Sequence, residues 1–156
     1  KRDDGIIVEK SFKFDALEVD ISDLEVHTEE FGKSSGLIRG MCAGFKERGY
    51  NIGGFNAASM SRVLSGSGLS SSAAYEVLIG TILNHLYNDG KVSPVEVAKI
   101  AQYAENKYFG KPCGLLDQSE IRDPSRRGRA RVHTGIVRDL RLSLREMPSI
   151  RRRKAE

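Results

Sequence analysis

Tryptophan is absent from this 156-residue chain, proline occurs four times, methionine three times and cysteine only twice. Cys42 and Cys113 lie far apart with no ligand spacing around them, so neither a disulfide framework nor a zinc cluster can be built on the pair. A reducing compartment, the cytoplasm, is the expected location. No apolar run approaches the ~20 residues a membrane-spanning helix needs, so no membrane partner is expected. Nor is there a secretory leader at the start: Lys1-Arg2-Asp3-Asp4-Gly5 leads straight into a strand-like stretch without an apolar h-region or a cleavage site. With no initiating methionine either, a start inside a longer reading frame is the expectation.

Acidic charge is scarce in only one part of the chain. Residues 119–156 carry a net charge of +7 and 11 of the 15 arginines, whereas residues 1–118 carry −3. The compositional break at Gln118 divides the chain into 1–118, a region with the mixed apolar and polar pattern of a folded domain, and 119–156, a basic tail. The tail shows no sustained apolar period. It reads as a frameshifted or foreign frame, too poor in apolar surface to offset its ordering entropy, and it is expected to be disordered. A nucleic-acid-binding arm is the competing reading of its arginines, but aromatic interleaving and any recognisable binding-motif spacing are missing. Nucleic acid is therefore not an expected partner.

What is present in residues 1–118 is a regular alternation of elements. Gly5 to Val8 reads as a short strand, and Leu17, Val19 and Ile21 alternate with acidic residues in the period of a second. Ile38, Met41, Cys42 and Phe45 fall at helical spacing before Gly49, which supplies a stop. Phe55 to Met60 predicts a third strand. Beyond a glycine-rich turn, two adjacent rows, Ala74-Leu78-Ile82-Leu86 and Tyr75-Ile79-Leu83-Tyr87, predict a helix buried over a wide arc. A further helix announces itself with Ser93 as cap, Pro94 at the first position and Glu96 completing a capping box; Val97, Ala101, Ala104 and Tyr108 form its stripe, and Gly110 ends it. The fold class this order predicts is α/β.

The chemistry concentrates at two places. Ser65-Gly66-Ser67-Gly68-Leu69-Ser70-Ser71-Ser72 runs directly into the buried helix, where small residues let backbone N–H groups converge at the positive end of a helix dipole. That arrangement suits an anion such as phosphate, with a flexible Gly/Ser turn as the plain alternative. No Lys-Ser/Thr pair follows as in a P-loop, and the third glycine of a dinucleotide-binding turn is missing. The second place is Glu105 with the segment Lys111 to Gln118. Glu105 sits at the edge of its helix's apolar stripe, where a carboxylate needs a partner unless it is simply solvated. The scattered His27, His85 and His133 read as surface or structural residues.

Gly66-Ser67-Gly68-Leu69-Ser70-Ser71-Ser72-Ala73 resembles the nucleotide-binding signature of the superfamily of galactokinase, homoserine kinase, mevalonate kinase and phosphomevalonate kinase, the GHMP kinases. Lys111-Pro112-Cys113-Gly114-Leu115-Leu116-Asp117-Gln118, preceded by Glu105-Asn106, is similar to the catalytic segment of galactokinases in particular. The resemblance covers about residues 5–118. It implies the amino-terminal domain of that superfamily, an α/β (α+β) domain whose mixed sheet packs with helices, incomplete here. It implies ATP-dependent phosphorylation of galactose at the anomeric hydroxyl, with ATP and Mg²⁺ as cofactors and ATP and galactose as small-molecule partners. By the same resemblance, amides of Gly66, Ser67, Gly68, Leu69, Ser70 and Ser71 would cradle the phosphates together with Ser72. Ser72 and Glu105 would hold the magnesium ion, whose preference for hard oxygen ligands fits a hydroxyl beside a carboxylate. Asp117 would face the attacking sugar hydroxyl as the catalytic residue, and Gly114 would lie beside the sugar.

The chain departs from the family pattern in three ways. Leu64 stands where the family usually has a proline, so the approach to the loop is less rigid. The upstream Gly-Glu-His-x-Asp-Tyr signature that grips galactose does not precede Gly5. Downstream, Ser119-Glu120-Ile121-Arg122-Asp123-Pro124 replaces the apolar residue and Gly-rich strand. The expectation is a fragment, inactive by itself, of a sugar kinase. Another sugar-1-kinase, such as one acting on N-acetylgalactosamine, and a non-catalytic galactokinase-like regulator are the alternatives.

Overall fold

The computed structural model describes residues 1–12, 14–60 and 71–112. Gly66, Ser67, Gly68, Leu69, Ser70, Gly114, Asp117 and the expected tail 119–156 lie outside the described residues, and of Ser71 only the backbone is described.

Three strands and three helices follow the anticipated order. Strand β1 (Ile6–Ser11) pairs antiparallel with β2 (Ala16–Asp20) and parallel with β3 (Phe55–Ser59), so the mixed sheet has the order β2-β1-β3. In register, Ile7 lies opposite Val19 on one side and Phe55 on the other. Successive side chains alternate between faces, so this row forms the inner face of the sheet, and each of the three is at most 1% exposed. β1 runs three residues past the predicted Val8. The polar run Glu9-Lys10-Ser11 hid that extension, because a strand end of this composition looks solvated.

Helix α1 (Ser34–Glu47) is buried continuously from Gly36 to Phe45 between the sheet and two further helices. Helix α2 (Ser71–Tyr87) and helix α3 (Pro94–Lys107) complete that layer. The helices approach closely because small residues stand at their crossings. A methyl group added at Gly40 would sit 2.8 Å from Ala104 Cβ, and one added at Gly80 would sit 2.7 Å from Val97 Cγ1. Ile7, Ile38, Met41, Phe45, Phe55, Ile79, Leu83 and Ile100 form one continuous core, each fully buried. Among the described residues no helix is long and apolar enough to cross a membrane.

Two details differ from the periodicity reading. In α2 the fully buried line is Ala73, Glu76, Ile79, Gly80 and Leu83, whereas Ala74, Leu78, Ile82 and Leu86 are half-buried, so the burial arc is narrower than the apolar residues alone suggested. At α3, the Ser93 hydroxyl accepts from the Glu96 N–H at 3.2 Å, but the Glu96 carboxylate turns to Arg48 Nε at 2.9 Å. The box is therefore half formed, its second half exchanged for an ion pair that ties α3 to the end of α1.

Candidate functional site

α2 and α3 run antiparallel. The connection is clipped by Asn84, whose Nδ2 donates to Val92 O at 2.9 Å while its Oδ1 accepts from Val92 N at 3.0 Å. That turn returns the chain so that the end of α3 lies beside the start of α2. The consequence is chemical: Ser72 Oγ donates to Glu105 Oε1 at 2.9 Å, across 33 positions of sequence. Glu105 is 2% exposed, which rules out the solvated reading, and Ser72 is half-buried in the first turn of α2.

The end of α3 is shaped to serve the same place. Gly110 adopts a φ of +73°, the left-handed region that glycine reaches without steric cost, and Phe31 packs where a side chain at 110 would stand. The chain therefore reverses, Lys111 N donates back to Glu105 O at 3.2 Å, and Lys111 Nζ comes within 3.8 Å of Glu105 Oε1. The Tyr108 hydroxyl anchors the bend by donating to Leu24 O at 2.7 Å. Lys111 was not anticipated as a neighbour of Glu105, since nothing in a sequence pattern reports a chain reversal beyond a helix end.

Several polar groups meet at this end of the molecule. The first N–H groups of a helix have no partner within it, and α2 is long enough for its dipole to favour an anion there. A hydroxyl oxygen and a carboxylate oxygen 2.9 Å apart also match the donors of a small hard cation. Magnesium–oxygen bonds of about 2.0–2.1 Å place adjacent octahedral ligands roughly 2.9 Å apart. No group of three or more His, Cys, Asp or Glu side chains that could hold a metal occurs among the described residues; magnesium commonly completes its octahedron with phosphate oxygens and water. The other reactive-looking side chain is disqualified. Cys42 is fully buried in the core, and burial pushes its thiol up to about 12, so it stays protonated.

Comparison with known proteins bears on the same residues. The family described as GHMP kinases N terminal domain matches residues 36–121, more than half of the chain and inclusive of Ser72 and Glu105. The chain belongs to the GHMP kinases. Among curated relatives, galactokinase of Clostridium tetani is 43% identical over 48% of this chain and 19% of its own length, and that of Clostridium acetobutylicum is 36% identical over 78% of this chain and 31% of its own. The crystal structure of Lactococcus lactis galactokinase complexed with galactose is 32% identical with a TM-score of 0.68, covering 77% of this chain and 31% of that one. The chain thus spans less than a third of the length of the curated galactokinases it matches. The mixed sheet packed against three helices is the GHMP amino-terminal arrangement, in agreement with the α/β expectation.

Of the anticipated site residues, Ser72 and Glu105 are brought into contact and Ser71 opens α2, while the remaining ones lie outside the described residues. His85 is exposed and His27 sits between two carboxylates, in keeping with surface or structural roles.

Proposed function

We propose that this chain carries the ATP-phosphate and catalytic portion of a galactokinase, which transfers the γ-phosphoryl group of ATP to the anomeric hydroxyl of galactose. The observation that carries the proposal is the 2.9 Å contact between Ser72 and buried Glu105 at the start of α2. It joins two segments, 33 positions apart, that the family resemblance had singled out separately.

In this reading, amides of residues 66–71 and the dipole of α2 hold the phosphates of ATP. Ser72 and Glu105 hold Mg²⁺, which when bound neutralises charge on the phosphates and orients them. Asp117 stands at the galactose hydroxyl and either takes its proton as the oxygen attacks phosphorus or orients and stabilises the hydroxyl while the proton passes to the transferred phosphoryl group; the bond from the γ-phosphorus to the bridging oxygen breaks, and ADP leaves. Gly114 allows the sugar close approach. Phosphoryl transfer depends on positioning and on charge neutralisation more than on covalent help, so one carboxylate facing the hydroxyl is enough. The same reading puts the protein in the cytoplasm, where buried, protonated Cys42 persists as a thiol, and draws the domain boundary after Gln118, where the charge balance changes sign.

The test uses a galactokinase-length protein carrying these residues, with Mg-ATP and galactose, and phosphorus NMR for a sugar 1-phosphate. Galactose-dependent formation of that product is expected. Phosphorylation of a different sugar alone would replace the substrate, and nucleotide binding without product would convert the reading to that of a regulator.

A further inference from the structure

A second buried carboxylate lies on the sheet side of the same end of the molecule, and neither the nucleotide nor the sugar reading uses it. Glu9 is 4% exposed and points, like Ile7, from β1 toward the helices. A carboxylate so placed carries a heavy desolvation cost unless donors surround it. Glu9 has three: Ser59 Oγ at 2.6 Å and Ser11 Oγ at 2.9 Å on Oε1, and the Tyr75 hydroxyl at 3.3 Å on Oε2. Ser11 and Ser59 face each other in the parallel register of β1 and β3, with their hydroxyls 2.7 Å apart, a contact in which one can donate to the other only by giving up its own bond to Glu9. Among the described residues no cation forms an ion pair with Glu9; its donors are hydroxyls.

The identity of those donors is the informative part. Ser59 is the last residue of β3 and Tyr75 lies in the first turns of α2, so the two belong to the elements that flank residues 61–70 in the chain. Glu9 joins them through opposite oxygens of one carboxylate. β1 is the central strand, hydrogen-bonded on both sides, and is the most rigid frame available to such a tie. The ladder reinforces it, since Phe12 N donates to Ser59 O at 2.9 Å.

We infer that Glu9 is a positioning residue for the phosphate loop: its carboxylate ties the end of β3 to the start of α2 and so fixes the separation of the two described elements that bracket the loop in the chain. The inference rests on the reading of that loop as a phosphate site. Fixing the two ends of a loop relative to each other reduces the entropy that must be lost when its amides converge on a ligand. An apolar residue at position 9 would fill the same space without the tie. That the sequence keeps a buried carboxylate here is what a positional role requires.

The experiment uses the full chain. Mg-ATP and inorganic tripolyphosphate are titrated by calorimetry into wild type, Glu9→Leu, Glu9→Gln, Ser59→Ala and Tyr75→Phe. Melting temperature and amide exchange at residues 57–60 and 75–79 are followed in each. Glu9→Leu is expected to weaken both ligands about tenfold, the effect of losing one buried hydrogen-bonded partner. Glu9→Gln, which still accepts from Ser59 and can donate to the Tyr75 oxygen, is expected to restore most of that affinity. Tyr75→Phe and Ser59→Ala each cut one side of the tie, and exchange should rise at the released end while the melting temperature changes little. A lower melting temperature with unchanged ligand affinity in Glu9→Leu and Tyr75→Phe would reduce Glu9 to a packing role and overturn the inference. If wild type binds neither ligand while the variants still loosen residues 57–60 and 75–79, the tie stands and the phosphate-site reading is what fails.

Discussion

Two glutamates beside the helical layer, half-buried Glu30 and buried Glu105, are satisfied in different ways. Glu30, in the short turn before α1, receives Arg39 in a bidentate fork at 2.8 and 3.1 Å; the same guanidinium donates to Asp20 O at 2.9 Å and also to Asp23 O. Four of the five N–H groups of Arg39 are spent on these acceptors, and the fork holds the Glu30 carboxyl below the usual carboxylate range. Glu105, by contrast, counts among its partners the Ser72 hydroxyl and, at 3.8 Å, the ammonium of Lys111, on a side chain that is 65% exposed. A hydroxyl and a mobile ammonium can be rearranged around an incoming cation, whereas a bidentate guanidinium cannot without losing a fixed structure. The kind of partner, more than the degree of burial, separates the two carboxylates.

The comparison can be broken most severely at Asp117, the residue the proposed chemistry needs. In a galactokinase-length protein, Asp117→Asn is expected to lower kcat by at least ~10², the lower end for losing a positioned acid–base group, with Mg-ATP affinity unchanged. Steady-state turnover beside nucleotide titration measures both, and near-normal kcat would remove Asp117 from the reaction. Arg39→Leu comes next, from the opposite side of the contrast. It leaves half-buried Glu30 and the carbonyls of Asp20 and Asp23 without their donor and should cost about 2 kcal/mol of stability, within the range for hydrogen bonds to a charged group. Urea unfolding reads that loss. Unchanged stability would mean that the Arg39 fork is not the structural fixture its geometry describes.

Glu105→Ala sharpens the same contrast with a smaller effect. It removes a carboxylate proposed to hold the metal, so the magnesium dependence of ATP binding should weaken by roughly 10-fold or more, given that even partners behind the direct ligands are worth 10–100-fold. The wild-type dependence on magnesium concentration is the control. Equal dependence in the variant would leave Glu105 as a polar contact of Ser72 and nothing more.

How far the sequence revealed this molecule follows the range of its forces. Helix and strand periods depend on near neighbours, and the six elements appear where Ile38-Met41-Phe45 or Val97-Ala101-Ala104 predict them. The α3 cap was legible for the same reason, because Ser93 and Glu96 are three positions apart. Tertiary competition was not: Arg48 took the Glu96 carboxylate from 48 positions away. Ser72 and Glu105 were singled out by their resemblance to a family, and local pattern alone left Glu105 ambiguous between partnered and solvated. Glu9 escaped notice altogether. Its donors Ser59 and Tyr75 lie 50 and 66 positions away, and Glu9-Lys10-Ser11 has the composition of a strand end in water.

The smallest expected effect lies outside both glutamate environments, at His27, and tests whether surface charge contributes to the turn that Arg39 holds. His27 Nε2 lies 2.8 Å from Asp23 Oδ2 and Nδ1 lies 3.3 Å from Glu29 Oε1, so the ring is flanked by carboxylates on both sides. The hydrogen bond to Asp23 is the main reason its pKa is raised, opposed by partial desolvation and by the nearby Arg39 guanidinium. The folded state therefore binds this proton more tightly than the unfolded chain, whose histidine titrates near 6.5. By linkage, the stabilisation is fully present below about pH 6.5 and is lost as the pH rises through the higher folded value. Because the ring is at the surface, screening keeps the effect small and salt-sensitive. Melting temperatures at pH 6 and pH 8, at low and high salt, are expected to show a modest decline with pH in wild type and a flatter profile in His27→Gln. Identical slopes in the two proteins would assign the pH dependence to other groups and leave the turn's electrostatic anchoring to the Arg39 fork.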